Sequence, residues 1–257
     1  MDFAALHRPG HPLLLPNVWE FGLAAHLVAR GFPAVGTTSL GVSAAAGQPD
    51  GAPQTRRHTV ALAESLRSLS AFVSVDIADG FSDDPAEVAA LAAELAALGV
   101  VGVNLEDGRP DGSLTDLDHQ CAKIRAVTAQ VPSLFVNART DTHWLTDNPP
   151  SVDVALARAN AYVEAGASGI FIPGLKASSD IEAASSALDV PLNVLFQPGG
   201  KTLSDLAALG VARVSLGSLP YRVALAAAAD SVLAVADGRA QSVTPPSYSE
   251  VVALLPS

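Results

Sequence analysis

Short apolar runs alternate along the chain with longer segments of helical spacing, and this alternation limits the possible folds more than any other feature of the sequence. The runs are four or five residues long and rich in apolar side chains, which is typical of strands buried on both faces. They occupy residues 13–16, 34–37, 72–76, 102–106, 134–138, 168–172, 191–194 and 213–216. A helix is predicted after each run.

The predicted helices have apolar residues at spacings of three and four, and several end at a glycine. They occupy residues 19–30, 58–69, 84–99, 117–128, 152–165, 179–188, 203–208 and 221–235. The third begins with Asp84 and Pro85, which match the capping and first positions of a helix. Strands that alternate with helices imply right-handed crossovers and a parallel sheet. Eight units therefore predict a closed (β/α)₈ barrel, a TIM barrel of the α/β class, rather than an open doubly wound sheet.

The length of 257 residues suits one such barrel, since these folds run to about 250 residues as a single domain. We expect the barrel to span residues 1–241. The tail, residues 242–257, contains two consecutive prolines followed by a short apolar helix. We expect this helix either to close the bottom of the barrel or to pack on a neighbouring subunit.

Charge and cysteine content exclude several classes of function. The formal net charge of -11 opposes broad contact with nucleic acid or anionic lipid. No apolar run of membrane-spanning length and no signal peptide is apparent, so we expect a cytoplasmic protein without a membrane partner. A single cysteine, Cys121, excludes internal disulfides and zinc sites built on several thiolates. We interpret Cys121 as a packing residue of the predicted helix 117–128.

Polar side chains gather where the predicted strands end and the helices follow. In a (β/α)₈ barrel these ends form one face, and the active site lies there. The residues at these junctions are Asn17, Thr37, Thr38, Ser39, Asp76, Glu106, Arg139 and Asn193. The opposite junctions carry turn residues such as Gly99 and Gly166. We therefore expect all chemistry at the carboxyl ends of the strands.

Three acids at this face form a candidate metal site. Asp76 and Glu106 end neighbouring strands, and Asp50 lies in the long loop after the second strand. Hard cations such as Mg²⁺ take one or two carboxylates and keep several waters, and Mn²⁺ is an alternative. No histidine falls at the strand ends, so zinc is not expected. The other interpretation is a structural ion network of Asp76 and Glu106 with Arg139, with Asp50 as an ordinary loop acid.

An arginine and a loop of small residues complete the expected site. The Arg139 guanidinium can bind a substrate carboxylate in a bidentate manner. The backbone N–H groups of Thr37, Thr38 and Ser39 are candidates for the other end of an oxyacid, and Asn193 is a further candidate ligand. A metal beside an arginine predicts a small anionic substrate. His143 and Trp144 either line the pocket or cap a loop, whereas Arg56 and Arg57 are interpreted as a solvated helix start.

Seven short motifs resemble those of the isocitrate lyase and phosphoenolpyruvate mutase superfamily. They are LPNVW at 15–19, GTTS at 36–39, GQPDG at 47–51, VDIADG at 75–80, LED at 105–107, NART at 137–140 and GIFIPG at 169–174. The resemblance implies a (β/α)₈ barrel, often a tetramer with an exchanged C-terminal helix, that binds Mg²⁺ and a 2-oxo acid. Members make or break C–C or P–C bonds through a pyruvate-type enolate on the metal.

The same resemblance implies a role for each candidate residue. Asp76 is expected as the direct metal ligand, with Asp50 and Glu106 holding metal-bound waters. Arg139 and the 37–39 amides are expected to hold the carboxylate and oxo oxygens. Asp50, Glu106 and Arg139 are therefore our candidate catalytic residues, and we expect a homo-oligomer.

Two departures from the family pattern narrow the range of reactions to be expected. Many relatives carry an acid two residues after Asp76, where this chain has Ala78, and alternation is expected to point Asp79 elsewhere unless the chain has already turned. The lyases also place a Lys-Lys-Cys-Gly-His motif, and the mutases a lysine, where this chain has GRPDGS at 108–113. Isocitrate lyase and standard mutase activity are therefore not expected.

Three hypotheses remain from the sequence. The first is a Mg²⁺-dependent lyase or decarboxylase acting on a C–C bond beside a 2-oxo carboxylate. The second keeps the site but acts on a P–C bond, as a phosphonopyruvate hydrolase or a carboxyphosphonoenolpyruvate mutase does. The third is a 2-oxo acid binder without catalysis, which the alanine at position 78 favours.

Overall fold

The computed structural model describes residues 2–256, so Met1 and Ser257, the ends of the predicted ranges, lie outside it. Its strands form one parallel sheet in the order β1-β9-β8-β7-β6-β5-β4-β3-β2. The strands are β1 (Leu13–Leu15), β2 (Asn17–Val18), β3 (Ala34–Thr37), β4 (Phe72–Asp76), β5 (Gly102–Glu106), β6 (Phe135–Arg139), β7 (Gly169–Phe171), β8 (Leu192–Leu195) and β9 (Arg213–Ser215).

The first predicted strand is split in two at Pro16, and the two pieces close the barrel. β1 pairs with β9, with Leu13 opposite Arg213, whereas β2 pairs with β3, with Asn17 opposite Gly36. Pro16 has no N–H to donate, but its carbonyl accepts the N–H of Gly36 at 2.8 Å. Nine segments thus make eight barrel strands, and the predicted (β/α)₈ fold is confirmed.

A helix follows each barrel strand, as predicted, and two more occur. The helices are α1 (Phe21–Ala29), α2 (Ser39–Ala45), α3 (Arg56–Leu66), α4 (Pro85–Ala97), α5 (Leu117–Gln130), α6 (Val152–Glu164), α7 (Ser178–Ala187), α8 (Leu203–Ala208), α9 (Leu219–Ala236) and α10 (Tyr248–Val252). α4 begins as its sequence predicts, because the Asp84 side chain accepts the N–H of Ala86 at 2.8 Å. α2 lies in a segment that was expected to be an irregular loop.

The apolar side chains form two separate cores. The larger core lies between the outer face of the strands and the helices, and it includes Val75, Val103 and Val136. A smaller core fills the bottom of the barrel with Phe3, Leu13, Leu15, Ala34 and Phe135. Strand alternation sends successive residues to these two sides.

The N-terminal segment closes the bottom of the barrel, and the C-terminal tail does not. A short 3₁₀ helix, Ala4–Leu6, holds Phe3 and His7 against Phe135. The tail helix α10 is exposed, and its Tyr248 keeps 87% of its surface accessible. Of the two placements expected for the tail, packing on a neighbouring subunit stays a prediction.

α9 carries apolar side chains that this chain leaves uncovered. Val223, Val232 and Val235 are exposed although they lie on an 18-residue helix. Within residues 2–256, α9 alone has the length and mean hydropathy, 1.4, of a membrane span. Arg222 and Asp230 interrupt its apolar residues, so α9 is not an unbroken apolar run of that length. One such helix is weak evidence for a membrane span.

Candidate functional site at the barrel mouth

The carboxyl ends of the strands form a mouth with two adjoining cavities of about 230 and 140 Å³. Asp50, Arg139 and Trp144 border both cavities. Glu106 lines the first, and Asp76 lines the second with Thr38 and Ser39. The fold therefore brings together the three candidate metal ligands and the candidate arginine, which are up to 89 residues apart (139 − 50) in the sequence.

Asp76 is held in place by the residues that follow β3. Its Oδ2 accepts the N–H of Ser39 at 3.1 Å, and its Oδ1 accepts the N–H of Ala78 at 3.3 Å. The backbone N–H of Asp76 donates to Thr37 Oγ1 at 2.8 Å, and Thr37 itself is buried. The Thr38 N–H donates to the Val18 carbonyl at 3.1 Å. The Thr38 and Ser39 amides, which were expected to bind substrate, are thus engaged within the protein.

Arg139 lies between two carboxylates. Its Nη1 is 2.6 Å from Glu106 Oε2, and its Nε donates to Asp141 Oδ1 at 2.6 Å. The guanidinium also lies 5.6 Å from the ring centre of Phe171. Burial disfavours the charge on Arg139, but Glu106 and then Asp141 outweigh it and raise the pKa. Sequence reasoning missed Asp141, although it lies only two residues after Arg139.

The mouth carries more negative than positive charge, and this fits a divalent cation. Burial raises the pKa of Glu106, Arg139 offsets this only in part, and the neighbouring acids Asp76, Asp141 and Asp50 raise it further. Asp50 lies at the exposed rim, yet partial burial of its carboxyl and the charge of Asp76 raise its pKa. The two cavities together are lined by five carboxylates and three guanidinium groups, those of Asp50, Asp76, Asp79, Glu106, Asp141, Arg109, Arg139 and Arg222.

The arrangement of these acids suits a largely hydrated ion. Within residues 2–256, no three His, Cys, Asp or Glu side chains converge as a ready set of direct ligands. Mg²⁺ needs only one or two carboxylates and keeps its other positions for water and ligand oxygens. The donors are all oxygens, which Mg²⁺ and Mn²⁺ accept. Of the three candidate ligands, Asp76 lines the smaller cavity, Glu106 the larger one and Asp50 both.

A left-handed residue after β4 turns the chain, so that Asp79 also borders the mouth. Ala78 has a left-handed backbone with φ of 49°. The regular alternation of side chains along β4 therefore ends before Asp79, so it no longer predicts that Asp79 points away from the site. The Ala78 carbonyl accepts the N–H of Glu106 at 2.8 Å. Asp79 lines the larger cavity, while its Oδ1 accepts the N–H of Phe81 at 2.9 Å. The chain has therefore already turned at the position where many relatives carry an acid.

Asp107, next to Glu106, is a buried structural acid. The sequence alone did not show that it lies outside the site. Its Oδ1 accepts the Asp141 N–H at 2.8 Å. Its Oδ2 accepts Arg158 Nε at 2.8 Å and the Tyr162 hydroxyl at 2.6 Å. Alternation along β5 sends Glu106 to the mouth and Asp107 toward α6. Asp107 thereby fixes the segment that carries Asp141.

The segment after β5 folds back as a tight hairpin beside the mouth. Gly108 pairs with Leu114, and the Arg109 N–H donates to the Ser113 carbonyl at 2.9 Å. A Cβ on Gly108 would lie 2.2 Å from Asp141 Oδ2, so only glycine fits beside that carboxylate. The hairpin thus packs against the acid that holds Arg139.

His143 and Trp144, the two residues after β6 whose roles the sequence left open, have different surroundings in the structure. Trp144 borders both cavities and keeps 49% of its surface exposed. His143 is buried, and its Nδ1 lies 3.0 Å from Thr142 Oγ1. Trp144 therefore faces the mouth, whereas His143 packs beneath it.

Of four other residues singled out from the sequence, Arg56, Cys121 and Asn193 lie away from both cavities, whereas Asn17 lines the smaller one. Arg56 pairs with Glu94 on the surface at 2.5 Å. Cys121 is buried in α5 as a packing residue. Asn17 joins the strands, since its Nδ2 donates to the Thr37 carbonyl at 2.7 Å. Asn193 is buried, donates to Ser215 Oγ at 3.0 Å and borders neither cavity, so its expected contact with substrate would need Ser215 to move.

Sequence comparisons connect this chain to known proteins. The family model described as Phosphoenolpyruvate phosphomutase matches residues 3–236. An uncharacterized protein of Mycobacterium tuberculosis (strain ATCC 25618 / H37Rv) is 42% identical over 255 residues, which covers 99% of this chain and 96% of that protein. The 2-methylisocitrate lyase of Bacillus subtilis (strain 168) is 31% identical over 200 residues, which covers 74% of this chain and 64% of the lyase.

Comparisons of structure give the same fold. A candidate phosphonomutase from Burkholderia cenocepacia J2315 superposes with a TM-score of 0.85 and 38% identity, covering 90% of this chain and 97% of its own. A phosphonopyruvate hydrolase in complex with oxalate and Mg²⁺ superposes with a TM-score of 0.82 and 24% identity, covering 99% and 95%. The second likeness concerns the fold alone.

Proposed function

The chain belongs to the phosphoenolpyruvate phosphomutase family, and on that premise we propose that it is a Mg²⁺-dependent enzyme acting on a C–C bond beside a 2-oxo carboxylate. Its substrate is a small oxo- or hydroxy-dicarboxylate, and its reaction is that of a lyase or a decarboxylase. The observation that carries this proposal is the position of Asp76, which points into an acid-rich mouth while two backbone N–H groups orient it.

The metal contributes one property that no side chain at the mouth supplies. When bound, Mg²⁺ acts as a Lewis acid toward the 2-oxo oxygen of the substrate. Asp76 would hold the ion, and Asp50 and Glu106 would hold its water ligands. Burial first, and then the charges of neighbouring acids, raise the pKa of Asp50 and of Glu106, and a bound cation would favour the charged form of both carboxylates.

Arg139 binds and orients the substrate carboxylate. Glu106 and Asp141 occupy its Nη1 and Nε groups and thereby fix the plane of the guanidinium. Its Nη2 has no partner among residues 2–256 and remains free to donate. Trp144 covers the same space from the rim and limits the access of water.

The test is a turnover assay with purified protein and Mg²⁺. A panel of C4 to C7 oxo- and hydroxy-diacids is offered, and the release of pyruvate or another 2-oxo acid is measured. We expect turnover that stops when a chelator removes the metal and returns when Mg²⁺ or Mn²⁺ is added. Absence of product from the whole panel, together with stabilisation by Mg²⁺ and oxalate, would instead identify a 2-oxo acid binder without catalysis.

Action on a P–C bond is the second candidate function. The 38% identity to a candidate phosphonomutase favours it. The hairpin at 108–113 lacks a family lysine, which argues against the standard mutase and leaves a phosphonopyruvate hydrolase or a carboxyphosphonoenolpyruvate mutase. Release of phosphate from phosphonopyruvate, without reaction of the diacid panel, would replace the first proposal by this one.

We also propose that the active form is a homo-oligomer. The exposed apolar side chains of α9 and the exposed tail helix offer a surface that a second copy would cover. Light scattering coupled to size exclusion should give a mass of two or four chains. A single-chain mass would contradict the proposal.

A further inference from the structure

A buried arginine without an acid partner lies under the floor of the mouth. Arg213 on β9 is 1% exposed, and within residues 2–256 no carboxylate lies at salt-bridge distance from it. Its Nε donates to Ser215 Oγ at 3.2 Å and its Nη2 to Asn104 Oδ1 at 3.1 Å, while its Nη1 is buried without a partner. Burying a charge in this way is costly, so a compensating role is expected.

Arg213 decides which end of the Asn104 amide faces the cavity. A guanidinium only donates hydrogen bonds, so the Asn104 atom next to it must be the oxygen. Asn137 Nδ2 donates to the same oxygen at 2.8 Å. The Asn104 Nδ2 is therefore turned away from both donors, toward the cavity that Asn104 lines.

The Nδ2 group of Asn104 is a free donor beside the candidate metal ligand. Among residues 2–256 it donates no hydrogen bond, and it is not sealed from the cavity. Asn104 on β5 is in register with Asp76 on β4, so both side chains belong to the same stretch of the barrel interior. An oxygen atom of a small anion held near Asp76 would complete the Nδ2 hydrogen bond.

We propose that Asn104 is a further substrate-binding residue, which donates to a carboxylate or oxo oxygen, and that Arg213 is a positioning residue which fixes the Asn104 amide for that contact. The inference rests on the proposed function, since it needs a small oxyanion at the mouth. Burial lowers the pKa of Arg213 to about 9, with Asp76 opposing the shift, so the guanidinium is charged at neutral pH. The Arg213 guanidinium is therefore charged under the conditions in which it would orient the Asn104 amide.

Oxalate binding in the presence of saturating Mg²⁺ tests the assignment by calorimetry. We expect Asn104→Ala to weaken oxalate binding about 10- to 100-fold, the loss typical of one hydrogen bond to a charged group. The affinity for Mg²⁺ alone should stay unchanged. Asn160→Ala is the matched control, because Asn160 is exposed on α6 and borders neither cavity, and it should change oxalate binding less than about threefold.

A double-mutant cycle tests the role of Arg213. Arg213→Met should weaken oxalate binding as much as Asn104→Ala does, and the double variant should be no weaker than either single one. Additive losses would overturn the positioning role. Asn104→Asp keeps an acceptor for Arg213 with the same shape, but it replaces the donor by a second acceptor and adds a negative charge. It should therefore weaken oxalate binding more than Asn104→Ala does, and it tests the contact even if Arg213→Met does not fold.

The outcomes separate this inference from the function on which it rests. If the wild-type protein binds no oxalate with Mg²⁺, the proposed function fails and the assignment fails with it. If the wild type binds oxalate and Asn104→Ala and Asn104→Asp bind it equally well, only the assignment of Asn104 is overturned.

Discussion

The bottom of the barrel and its mouth are built from the same strands but have opposite chemistry. On β6 the three alternate positions are Phe135, Asn137 and Arg139, which run from the apolar bottom core through an amide layer to the charged mouth. β5 carries Asn104 and Glu106 at the corresponding upper positions. A step of two residues along a strand is therefore enough to pass from a packed core to an ionic site.

The packing at the bottom of the barrel stabilises the fold, whereas the charges at the mouth destabilise it. At the bottom, the Phe3 and Phe135 rings meet edge to face at 5.5 Å, and burial of these rings stabilises the fold. At the mouth, the acids raise one another's pKa, which means that their charges repel in the folded state. Substitutions of the ionic residues at the mouth should therefore mainly change activity, whereas substitutions at the bottom should mainly change the free energy of unfolding.

The largest effect is expected for Asp76→Ala at the mouth. Loss of the proposed metal ligand should lower kcat/KM by about a thousandfold or more, since metal catalysis contributes several kcal/mol. The free energy of unfolding should change by less than about 2 kcal/mol, because the loss of one of several repelling charges is set against the loss of two N–H hydrogen bonds. Turnover of the best diacid and urea unfolding measure both, with the exposed acid variant Asp189→Ala as a control that leaves both unchanged.

Asp107→Ala should show that one acid near the mouth belongs to the scaffold. Removing a buried carboxylate that accepts from Arg158, Tyr162 and the Asp141 N–H leaves a buried cation and a hydroxyl without their partner. We expect a loss of about 4 kcal/mol in the free energy of unfolding. Urea unfolding measures it, and Asp147→Ala, an exposed acid of the loop after β6, should cost almost nothing. Equal stabilities of the two variants would contradict the structural role.

Phe3→Ala should affect the bottom of the barrel alone. The ring fills the space above Gly102, where an added Cβ would lie 3.0 Å from Phe3 Cε1. Its removal should cost about 3 kcal/mol of stability and leave KM and kcat unchanged. Phe3→Leu, which keeps part of the volume, should cost less than about 1.5 kcal/mol. A change in kcat with intact stability would show that the two ends are coupled.

The fold and the centre of the site could be predicted because their signals are local. Each strand is a short run with its own periodicity, and the parallel barrel then carries the ends of such runs to one face. Asp76, Glu106 and Arg139 needed no knowledge of long-range contacts, since each ends its strand.

The residues that were missed depend on contacts that no local pattern records. α2 consists mainly of small residues without an apolar stripe, so its segment resembles a loop. Glu106 and Asp107 are adjacent acids, and only the direction of the last strand residue decides which of them faces the mouth. Arg213 lies 109 residues from its partner Asn104. Its position at a strand start gives no sign that its side chain reaches the floor of the site.

The smallest expected effect is a pH dependence that arises at the bottom of the barrel. Burial, with the positive charge of Arg213 as a second cause, lowers the pKa of His7 to about 4 from 6.5. The ring stacks on Phe135 at 4.4 Å between centroids, and its Nε2 is buried without a partner, so a proton there would be unfavourable.

The sign of the effect follows from proton binding. Between pH 6.5 and 4 His7 is protonated in the unfolded chain but stays neutral in the folded chain. The free energy of unfolding therefore falls as the pH falls. Between pH 7 and 5 this group alone should remove about 2 kcal/mol. His7→Phe keeps the stacked ring and cannot titrate, so it should lose about 2 kcal/mol less than the wild type over the same range in urea unfolding. Equal losses would mean that the folded chain protonates His7 as readily as the unfolded chain does.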